Sequence, residues 1–383
     1  MGSKNTSTKN VLQNHSKAKV RLYTEYLLLY LHILGNNKYV SRIHLFDVLC
    51  GEGKYADGAE GSALRGLRTV LEYFTTSPST KLKLNIWLND HGQSAVQKKL
   101  KKIQRVEEHA SGIALPADKA ELKYSDHEYS NMLTYVEEVL AKFDSSEKAL
   151  IFIDPWGYKS IKSKELKKLF GCGRAEILLF LPTTLMYRFA NKALEAKGEA
   201  MRKCYLPLKH LLEDLFDNHV PIFTSFETFD AALLEKLKLK LGAVYGSSFG
   251  LETEDRNKYS IFFFTPNIKG LSAFNEVCWK LDEVGGKGFY VGPNANQYSL
   301  FNGPDHMAQV RELIFSSPVT NKQVYEFGVM NNQLTKSTSA ALNILRERGE
   351  IVVEALDGLP HPKKNANYLE YSPKRLVQFK RVK

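Results

Sequence analysis

Acidic residues and glycines stand where apolar runs of this sequence end, an arrangement suited to binding a small polar cofactor. In residues 42–55, RIHLFDVLCGEGKY, the apolar run ends at Leu49 and is followed by Gly51 and Gly53. Because glycine has no side chain, a ligand can approach the backbone closely at such a turn. Asp47 precedes this turn and could accept a hydrogen bond from an ammonium group of the ligand. These four residues are therefore predicted to bind a cofactor.

Two further acids are predicted at the ends of the next strands. Asp90 ends the run KLNIWLND, where a carboxylate can accept from both ribose hydroxyls of a nucleotide-like cofactor. Asp126 follows the next strand, in KYSD, where it could accept from an adenine amino group. The alternatives are that each acid caps a helix, or that Asn89 makes the ribose contact. Because parallel strands end at one edge of a sheet, these acids are expected to outline one cleft.

The segment IFIDPWGY, residues 151–158, carries the residues best suited to catalysis. Asp154 ends an apolar strand, and Pro155 fixes the backbone so that a carbonyl can point into the cleft. A carboxylate beside a carbonyl can hold both N–H groups of an amino group, while Trp156 or Tyr158 stacks on its base. Methyl transfer chiefly requires such alignment. These four residues are predicted to be catalytic, with S-adenosylmethionine as cofactor; a plain Asp-Pro turn covered by aromatics is the alternative.

The elements that must position these residues alternate between strand and helix. Apolar runs of strand length are separated by helical patterns, including one at about 93–106, as far as AEILLFLPTT. This alternation predicts an α/β protein with a doubly wound, Rossmann-like parallel sheet. The methyltransferase domain is predicted over 1–300, with a helical insertion at about 186–250 and a linker at 301–316. Residues 317–383 give helix, helix, strand, turn and strand, the order expected of a winged-helix domain.

The basic residues of the chain are clustered. The 383 residues carry a formal net charge of +11, and the predicted winged helix alone has eleven Lys and Arg against six acids. Such clusters can neutralise phosphates, so nucleic acid, DNA or RNA, is the predicted partner; a solvated surface is the alternative. The predicted contacts are Lys98, Lys99, Lys101, Lys102, Lys336, Arg346, Lys363 and Lys364.

Three absences in the sequence narrow the location and the cofactors. No uninterrupted apolar run reaches the roughly 20 residues that span a bilayer, and the start MGSKNTSTKN lacks the apolar core of a signal peptide. The four cysteines are scattered, with no CxxC pair and no histidine at metal-ligand spacing. The sequence therefore predicts a cytoplasmic protein without membrane association, disulfide framework or metal.

A family resemblance is carried by segments spread, in order, over nearly the whole chain. They are HSKAKVRLYTEYLLLYLHIL, FDVLCGEGKYADGAEGSALRGL, IFIDPWGYKSI, NIKGLSAFNEVCWKLDEVGG, QYSLF and the C-terminal domain. Together they resemble the three-Cys-motif partner protein family. The resemblance implies a Rossmann-like methyltransferase domain and a partner protein, similar to radical S-adenosylmethionine enzymes, that bears the three cysteines. A broader similarity is to adenine amino-methyltransferases, whose Asp-Pro-Pro-aromatic motif corresponds here to Asp154-Pro155-Trp156-Gly157.

Three hypotheses follow from these residues. The leading one is an S-adenosylmethionine-dependent methyltransferase that acts on an amino nitrogen of nucleic acid, on an adenine-like base. The second is a non-catalytic scaffold of the same fold that binds nucleic acid, the radical-enzyme-like partner, or both. The third is a nuclease in which Asp47, Glu52 and Asp154 surround a metal ion. Cofactor binding and turnover separate the first hypothesis from the second.

Overall fold

A computed structural model describes residues 14–155, 157–195, 199–253, 257–289, 305–360, 363 and 366–382. These described residues form twelve helices and eleven strands. The chain divides into an N-terminal unit, Met1–Pro266 with Gly288–Gly292, and a C-terminal unit, Asn267–Lys287 with Pro293–Lys383. Each unit has its own sheet.

The N-terminal unit is built on an eight-stranded sheet. Its strands are β1 (Arg42–Asp47), β2 (Lys83–Asn89), β3 (Ala120–Ser125), β4 (Glu147–Ile153), β5 (Ala175–Leu181), β6 (Tyr245–Glu252), β7 (Lys258–Thr265) and β8 (Gly288–Phe289). Their order across the sheet is β3-β2-β1-β4-β5-β7-β6-β8. The first five strands are parallel, and β7 runs antiparallel to both β5 and β6. The fold is thus mixed α/β around a mostly parallel sheet, which is compatible with the predicted Rossmann-like fold.

The N-terminal unit also contains eight helices. They are α1 (Asn14–Gly35), α2 (Ser62–Thr76), α3 (Lys102–Ala110), α4 (Tyr129–Leu140), α5 (Ser163–Phe170), α6 (Thr183–Glu195), α7 (Glu199–Leu215) and α8 (Phe226–Leu241). All seven residues of β5 and the last five of β4 are buried. Central strands covered on both faces read as continuous apolar runs, which is why the sequence predicts them well.

Helix α1 is fastened to the sheet by aromatic side chains. The ring of Tyr23 stacks on Phe152 of β4, with 4.5 Å between the ring centroids. The Tyr26 hydroxyl donates to the buried carboxylate of Glu176 in β5 at 2.5 Å, and the Tyr30 hydroxyl donates to the carbonyl of Ala149 at 3.1 Å. Within the described residues, no helix has the length and apolar character needed to cross a membrane.

Two element predictions in this unit are wrong. The helix predicted at about 93–106 begins only at Lys102, because residues 91–101 form a loop whose turns are held by hydrogen bonds to Ser94. The predicted helical insertion at about 186–250 ends earlier, because Gly242 adopts a left-handed φ of +70° and terminates α8. The chain then continues as β6, which pairs with β7 along its whole length.

The C-terminal unit combines four helices with a three-stranded antiparallel sheet. Its elements are α9 (Ile268–Leu281), α10 (His306–Ser316), β9 (Val319–Thr320), α11 (Asn321–Met330), α12 (Thr335–Glu347), β10 (Ile351–Ala355) and β11 (Val377–Arg381). The strand order is β10-β11-β9. The helix, helix, strand, strand order predicted for residues 317–383 is therefore present.

Two segments of this unit differ from the predicted domain limits. Helix α9, predicted within the sheet domain, packs on α11: the Asn275 amide donates to the Val329 carbonyl, and the Trp279 indole donates to the Asn332 carbonyl, both at 2.8 Å. The predicted linker 301–316 contains α10 among its described residues, which buries Val310 and Ile314. Apolar residues four positions apart fit one helix face, which explains why this segment packs rather than connects.

Candidate functional site

Three of the predicted acids lie close together at the carboxyl ends of β1, β2 and β4. Asp47 ends β1, Asp90 follows β2 and Asp154 follows β4. Burial raises the pKa of Asp47 to about 7; the hydrogen bond from Ser62 opposes this shift, and the like charges of Asp154 and Asp90 add to it. The structure therefore brings together three of the four acids predicted at this edge, whereas Asp126 is exposed at the end of β3.

Asp47 has one carboxylate oxygen without a partner. Its Oδ2 accepts a hydrogen bond from the Ser62 hydroxyl at 2.7 Å. Its Oδ1 is buried and has no hydrogen-bond donor among the described residues. Buried acceptors are nearly always satisfied, so an exception at a strand end indicates a place where a ligand donor can bind.

The glycine turn after β1 has the backbone conformation that the sequence predicts. Gly51 has a φ of +72° and Gly53 a φ of +78°, a region that other residues rarely adopt. A Cβ built on Gly51 meets no atom within 4 Å, whereas one on Gly53 meets Leu64 at 3.4 Å. The space beside Gly51 is therefore open to a ligand. Leu49, the other predicted contact, is only half-buried and packs against the apolar core.

Asp90 organises the turn rather than capping a helix. Its buried carboxylate accepts from the backbone N–H of Gly51 at 3.0 Å and of Gly92 at 2.8 Å, and it forms an ion pair with Lys102 at 3.6 Å. Because α3 begins twelve residues after Asp90, the predicted alternative of an N-cap is wrong. Asp90 joins the end of β2 to the glycine turn, and it does so beside the predicted cofactor space.

Asn89 joins the ends of three strands. Its Nδ2 donates to the carbonyls of Val48 and His127, at 2.9 and 3.0 Å. Its Oδ1 accepts from the Ser125 hydroxyl and from the His127 N–H, both at 2.9 Å. The amide is occupied on both sides by the protein itself, so the alternative of a ribose contact by Asn89 has no free donor or acceptor direction to use.

Glu52 ties the loop 91–101 to the glycine turn, a role that sequence reasoning missed. Its carboxylate accepts from the Ser94 hydroxyl and from the Ala95 N–H, both at 2.7 Å. Arg105 of α3 lies 3.5 Å away as an ion-pair partner. The loop is therefore held against the glycine turn. Glu52 is fully engaged in this contact rather than in a ring of acids.

Asp154 is paired with Lys19 of α1, which sequence reasoning also missed. The Lys19 Nζ lies 2.5 Å from the Asp154 carboxylate, and the two side chains are only 10% and 21% exposed. Burial lowers the pKa of Lys19, but Asp154 and, to a smaller extent, Tyr55 and Asp47 leave it above its usual value. The ammonium also lies 4.3 Å from the ring centre of Phe180. The predicted catalytic carboxylate of Asp154 is therefore already paired with a cation, the Lys19 ammonium.

The remaining residues of the predicted catalytic motif have mixed outcomes. Pro155 is buried, and its carbonyl accepts from the Gly157 N–H at 2.7 Å in a tight turn where Gly157 has a φ of +97°. Tyr158 is partly buried and packs against the apolar core. Trp156 lies outside the described residues. Tyr158 is therefore placed as a packing residue, in line with the predicted alternative of aromatics that cover the core.

Of the four lysines predicted as contacts near α3, two are exposed and two form ion pairs with acids. Lys98 and Lys99 are exposed on the loop 91–101. Lys102 pairs with Asp90, and Lys101 pairs with Asp126, which is exposed at the end of β3. The hydrogen bond and charge of Lys101 hold the pKa of Asp126 below its usual value. These four lysines thus do not lie together on one helix, because Lys98, Lys99 and Lys101 precede α3.

The predicted basic contacts of the C-terminal unit are also unequal. Lys336 is exposed on α12, and Lys363 is exposed in the segment after β10. Arg346 instead donates to the buried amide oxygen of Asn367 at 2.5 Å, and burial lowers the pKa of this arginine. Arg346 fastens the segment between β10 and β11 to α12. Lys364 lies outside the described residues.

Metal and family comparisons give no further assignment. Among the described residues, no group of three or more His, Cys, Asp or Glu side chains is placed to hold a metal ion. The chain matches no protein-family model and no curated protein. Fold and site together define a mixed α/β protein with a mostly parallel sheet and a buried acidic strand edge beside an open glycine turn.

Proposed function

We propose that the N-terminal unit is an S-adenosylmethionine-dependent methyltransferase domain and that its target is an amino nitrogen of nucleic acid, on an adenine-like base. The strand order supports this proposal. A mostly parallel sheet with the antiparallel strand β7 placed between β5 and β6 is compatible with the Rossmann-like fold expected of such a methyltransferase. Because one fold hosts many functions, the site must carry the assignment.

The observation that carries the proposal is the unpartnered Asp47 oxygen at the end of β1, together with the open space at Gly51 in the turn that follows. The buried Oδ1 needs a donor, and an ammonium group such as that of S-adenosylmethionine provides one. Gly51 leaves room for the ligand, and the Asp90 carboxylate accepts a hydrogen bond from the Gly51 N–H. Asp126 stands at the end of the neighbouring strand, at the position proposed for the adenine contact. These residues fit the predicted cofactor.

When bound, S-adenosylmethionine supplies an electrophilic methyl group on a positively charged sulfur. The residues of the chain supply alignment. The Asp154 carboxylate accepts an N–H of the target amino group, which directs the nitrogen lone pair away from the carboxylate. Lys19 pairs with Asp154 in the free protein, and its ammonium is the group that an incoming amino group replaces. This role requires positioning and no strong general base.

The C-terminal unit is proposed to be a winged helix that holds the nucleic acid. Elements α10, β9, α11, α12, β10 and β11 follow one another in the order of that fold, and the segment between β10 and β11 corresponds to the wing. The antiparallel order β10-β11-β9 supports the assignment. In this fold, the helix corresponding to α12 commonly contacts nucleic acid. Its exposed Lys336 suits such a contact.

A calorimetric titration with S-adenosylmethionine and transfer of a labelled methyl group to mixed DNA and RNA test this function. We expect saturable cofactor binding and label in nucleic acid. Asp154→Ala should abolish transfer and leave cofactor binding largely intact, whereas Asp47→Ala should abolish binding. The matched control is Asp144→Ala, which removes an exposed acid outside the site. Retained methylation in Asp154→Ala would show that this carboxylate does not hold the target.

A non-catalytic scaffold is the second candidate, and one observation favours it. Each predicted acid already receives a donor from the chain itself: Ser62 on Asp47, the Gly51 and Gly92 N–H groups on Asp90, Lys101 on Asp126 and Lys19 on Asp154. A site of this kind can be stable without a cofactor. As a scaffold, the chain would bind nucleic acid or a radical-enzyme-like protein, the partner that the resemblance to three-Cys-motif partner proteins implies. It predicts no heat of binding for S-adenosylmethionine and no label transfer.

A further inference from the structure

The C-terminal unit contains an open, basic cavity, and none of the predicted nucleic-acid contacts that the structure describes lines it. It has a volume of about 500 Å³ and is lined by Arg311, Phe315, Arg348, Glu350, Arg381 and Val382. We call Arg311, Arg348 and Arg381 the arginine cluster. These residues come from three separate segments: α10, the residues that follow α12, and the end of β11.

The backbone fixes these three segments at one place. Helix α10 packs against both α12 and β11. The Val382 N–H, directly after β11, donates to the Glu350 carbonyl at 2.9 Å. Arg311 and Phe315 are four residues apart on α10, so they lie on the same helix face. The arginine cluster is therefore a built surface and not a chance meeting of long side chains.

The guanidinium groups are also held in orientation. The central carbon of the Arg311 guanidinium lies 4.1 Å from the Phe315 ring centre, and that of Arg381 lies 4.8 Å from it. Stacking on an aromatic ring uses the faces of a guanidinium and leaves its N–H edges available to acceptors. Arginines held in this way lose less freedom when they bind an anion.

The charges of the cavity are unbalanced. Glu350 is its one acidic lining residue. Its carboxylate is 2.5 Å from Arg311 Nε and 3.9 Å from Arg348 Nη1. Three guanidinium groups against one carboxylate leave two positive charges in excess. Arg311 and Arg348 are at least half exposed, so the surface is accessible.

We propose that the arginine cluster binds the phosphate groups of a nucleic-acid backbone. The N–H groups of a guanidinium match the spacing of phosphate oxygens. Contacts to the phosphate backbone position a protein on nucleic acid without reading the base sequence. The open shape suits a chain that passes across the cavity, because it gives little enclosure to a small anion. The proposal rests on the part of the proposed function that gives the C-terminal unit a nucleic-acid ligand. It places contacts beyond α12 and does not depend on methyl transfer.

The test is binding of a labelled DNA duplex and of a labelled RNA to the full chain across a range of salt concentrations, without cofactor. We expect Arg311→Gln/Arg381→Gln to weaken binding about tenfold in low salt and to lower the salt slope by about 2, one for each lost phosphate contact. The matched control is Lys38→Gln/Lys142→Gln, which removes the same charge from exposed sites in the N-terminal unit. It should leave the slope unchanged.

A second variant acts in the opposite direction, which misfolding cannot imitate. Glu350→Gln removes the carboxylate that competes with phosphate for Arg311 and Arg348, so binding should tighten by about threefold. An unchanged slope in the arginine variant, weaker binding by Glu350→Gln, or absence of nucleic-acid binding by the native chain would each overturn the proposal. Inorganic phosphate that competes as well as nucleic acid at equal phosphate concentration would do the same. Failure of methyl transfer alone would contradict only the proposed enzymatic activity.

Discussion

The acidic strand edge of the N-terminal unit and the arginine cluster of the C-terminal unit handle charge in opposite ways. At the strand edge, Asp47, Asp90 and Asp154 are largely buried, and each is matched by a donor from the chain. In the arginine cluster, three exposed arginines line one cavity with Glu350, which pairs with two of them, Arg311 and Arg348. Burial makes an unmatched charge costly, whereas water screens an exposed one. The buried strand edge is therefore recognised by its paired charges, and the exposed arginine cluster by its excess of positive charge.

The largest effect should come from the one incompletely matched acid at the strand edge. The pKa of Asp47 is raised from 3.8 to about 7, so the folded chain keeps a proton that the unfolded chain releases. Stability should therefore fall as the pH rises from about 4 to about 7, and the loss should be complete above that range. Asp47→Asn, which resembles the protonated acid, should be more stable than the native chain at pH 8 by about 2 to 4 kcal/mol.

Urea unfolding of both proteins between pH 4 and pH 8 measures this difference. Burial also raises the pKa of Glu176 to about 7, but that residue is present in both proteins, so the difference isolates Asp47. Parallel stability curves would show that Asp47 titrates normally and would remove the contrast between the two sites. Asp47→Asn should at the same time lose affinity for S-adenosylmethionine, since a stabilising change at a binding site often reduces function.

The next effect tests whether Lys19 and Asp154 behave as a buried pair. Lys19→Met keeps the alkyl packing and leaves Asp154 unpaired, so the free energy of unfolding should fall by about 3 kcal/mol. Adding Asp154→Asn should restore part of this loss, because the double variant has no uncompensated charge. A double-mutant cycle by urea unfolding gives the coupling energy.

Helix α1 offers as the control a pair whose acid is similarly buried but whose cation is exposed. Arg21 and Glu25 are four residues apart and 2.7 Å from each other, and their side chains are 59% and 22% exposed. The cycle with Arg21→Met and Glu25→Gln should give a coupling of about 0.5 kcal/mol or less. Equal coupling energies in the two cycles would mean that burial does not distinguish the pairs.

The smallest effect is expected in the arginine cluster. Arg311→Gln breaks the ion pair with Glu350, but both side chains are partly exposed and Glu350 keeps Arg348 nearby. The free energy of unfolding should therefore change by less than about 1 kcal/mol. Thermal or urea unfolding of the full chain provides the measurement. A larger loss would assign Arg311 to the folding of the unit rather than to a binding surface.

The sequence predicts the parts of this molecule that depend on local patterns. The apolar runs of β4 and β5, the glycine turn and the acids at the strand ends are visible because each follows from residues close together in the chain. Contacts between distant segments leave no such signal. Lys19 is separated from Asp154 by 135 residues, and the arginine cluster draws on three segments.

The wrong predictions have the same origin. The loop 91–101 contains residues that favour a helix. It remains a loop because the Ser94 hydroxyl and the Ala95 N–H both donate hydrogen bonds to the Glu52 carboxylate. Segment 301–316 contains Gly and Pro and was predicted as a linker, yet α10 inside it buries Val310 and Ile314. In both cases tertiary packing outweighs local preference.

The four hydrogen bonds of Asn89 have a consequence for which substitutions the chain can tolerate. The side chain presents two donors to the Val48 and His127 carbonyls and one acceptor to Ser125 and the His127 N–H. Aspartate would set a carboxylate against two carbonyl oxygens, leucine would leave all four groups unsatisfied, and glutamine is one methylene too long for a site with no exposure. Each of these three substitutions should therefore destabilise the strand edge, and descendants of this chain that keep the edge should keep asparagine at position 89.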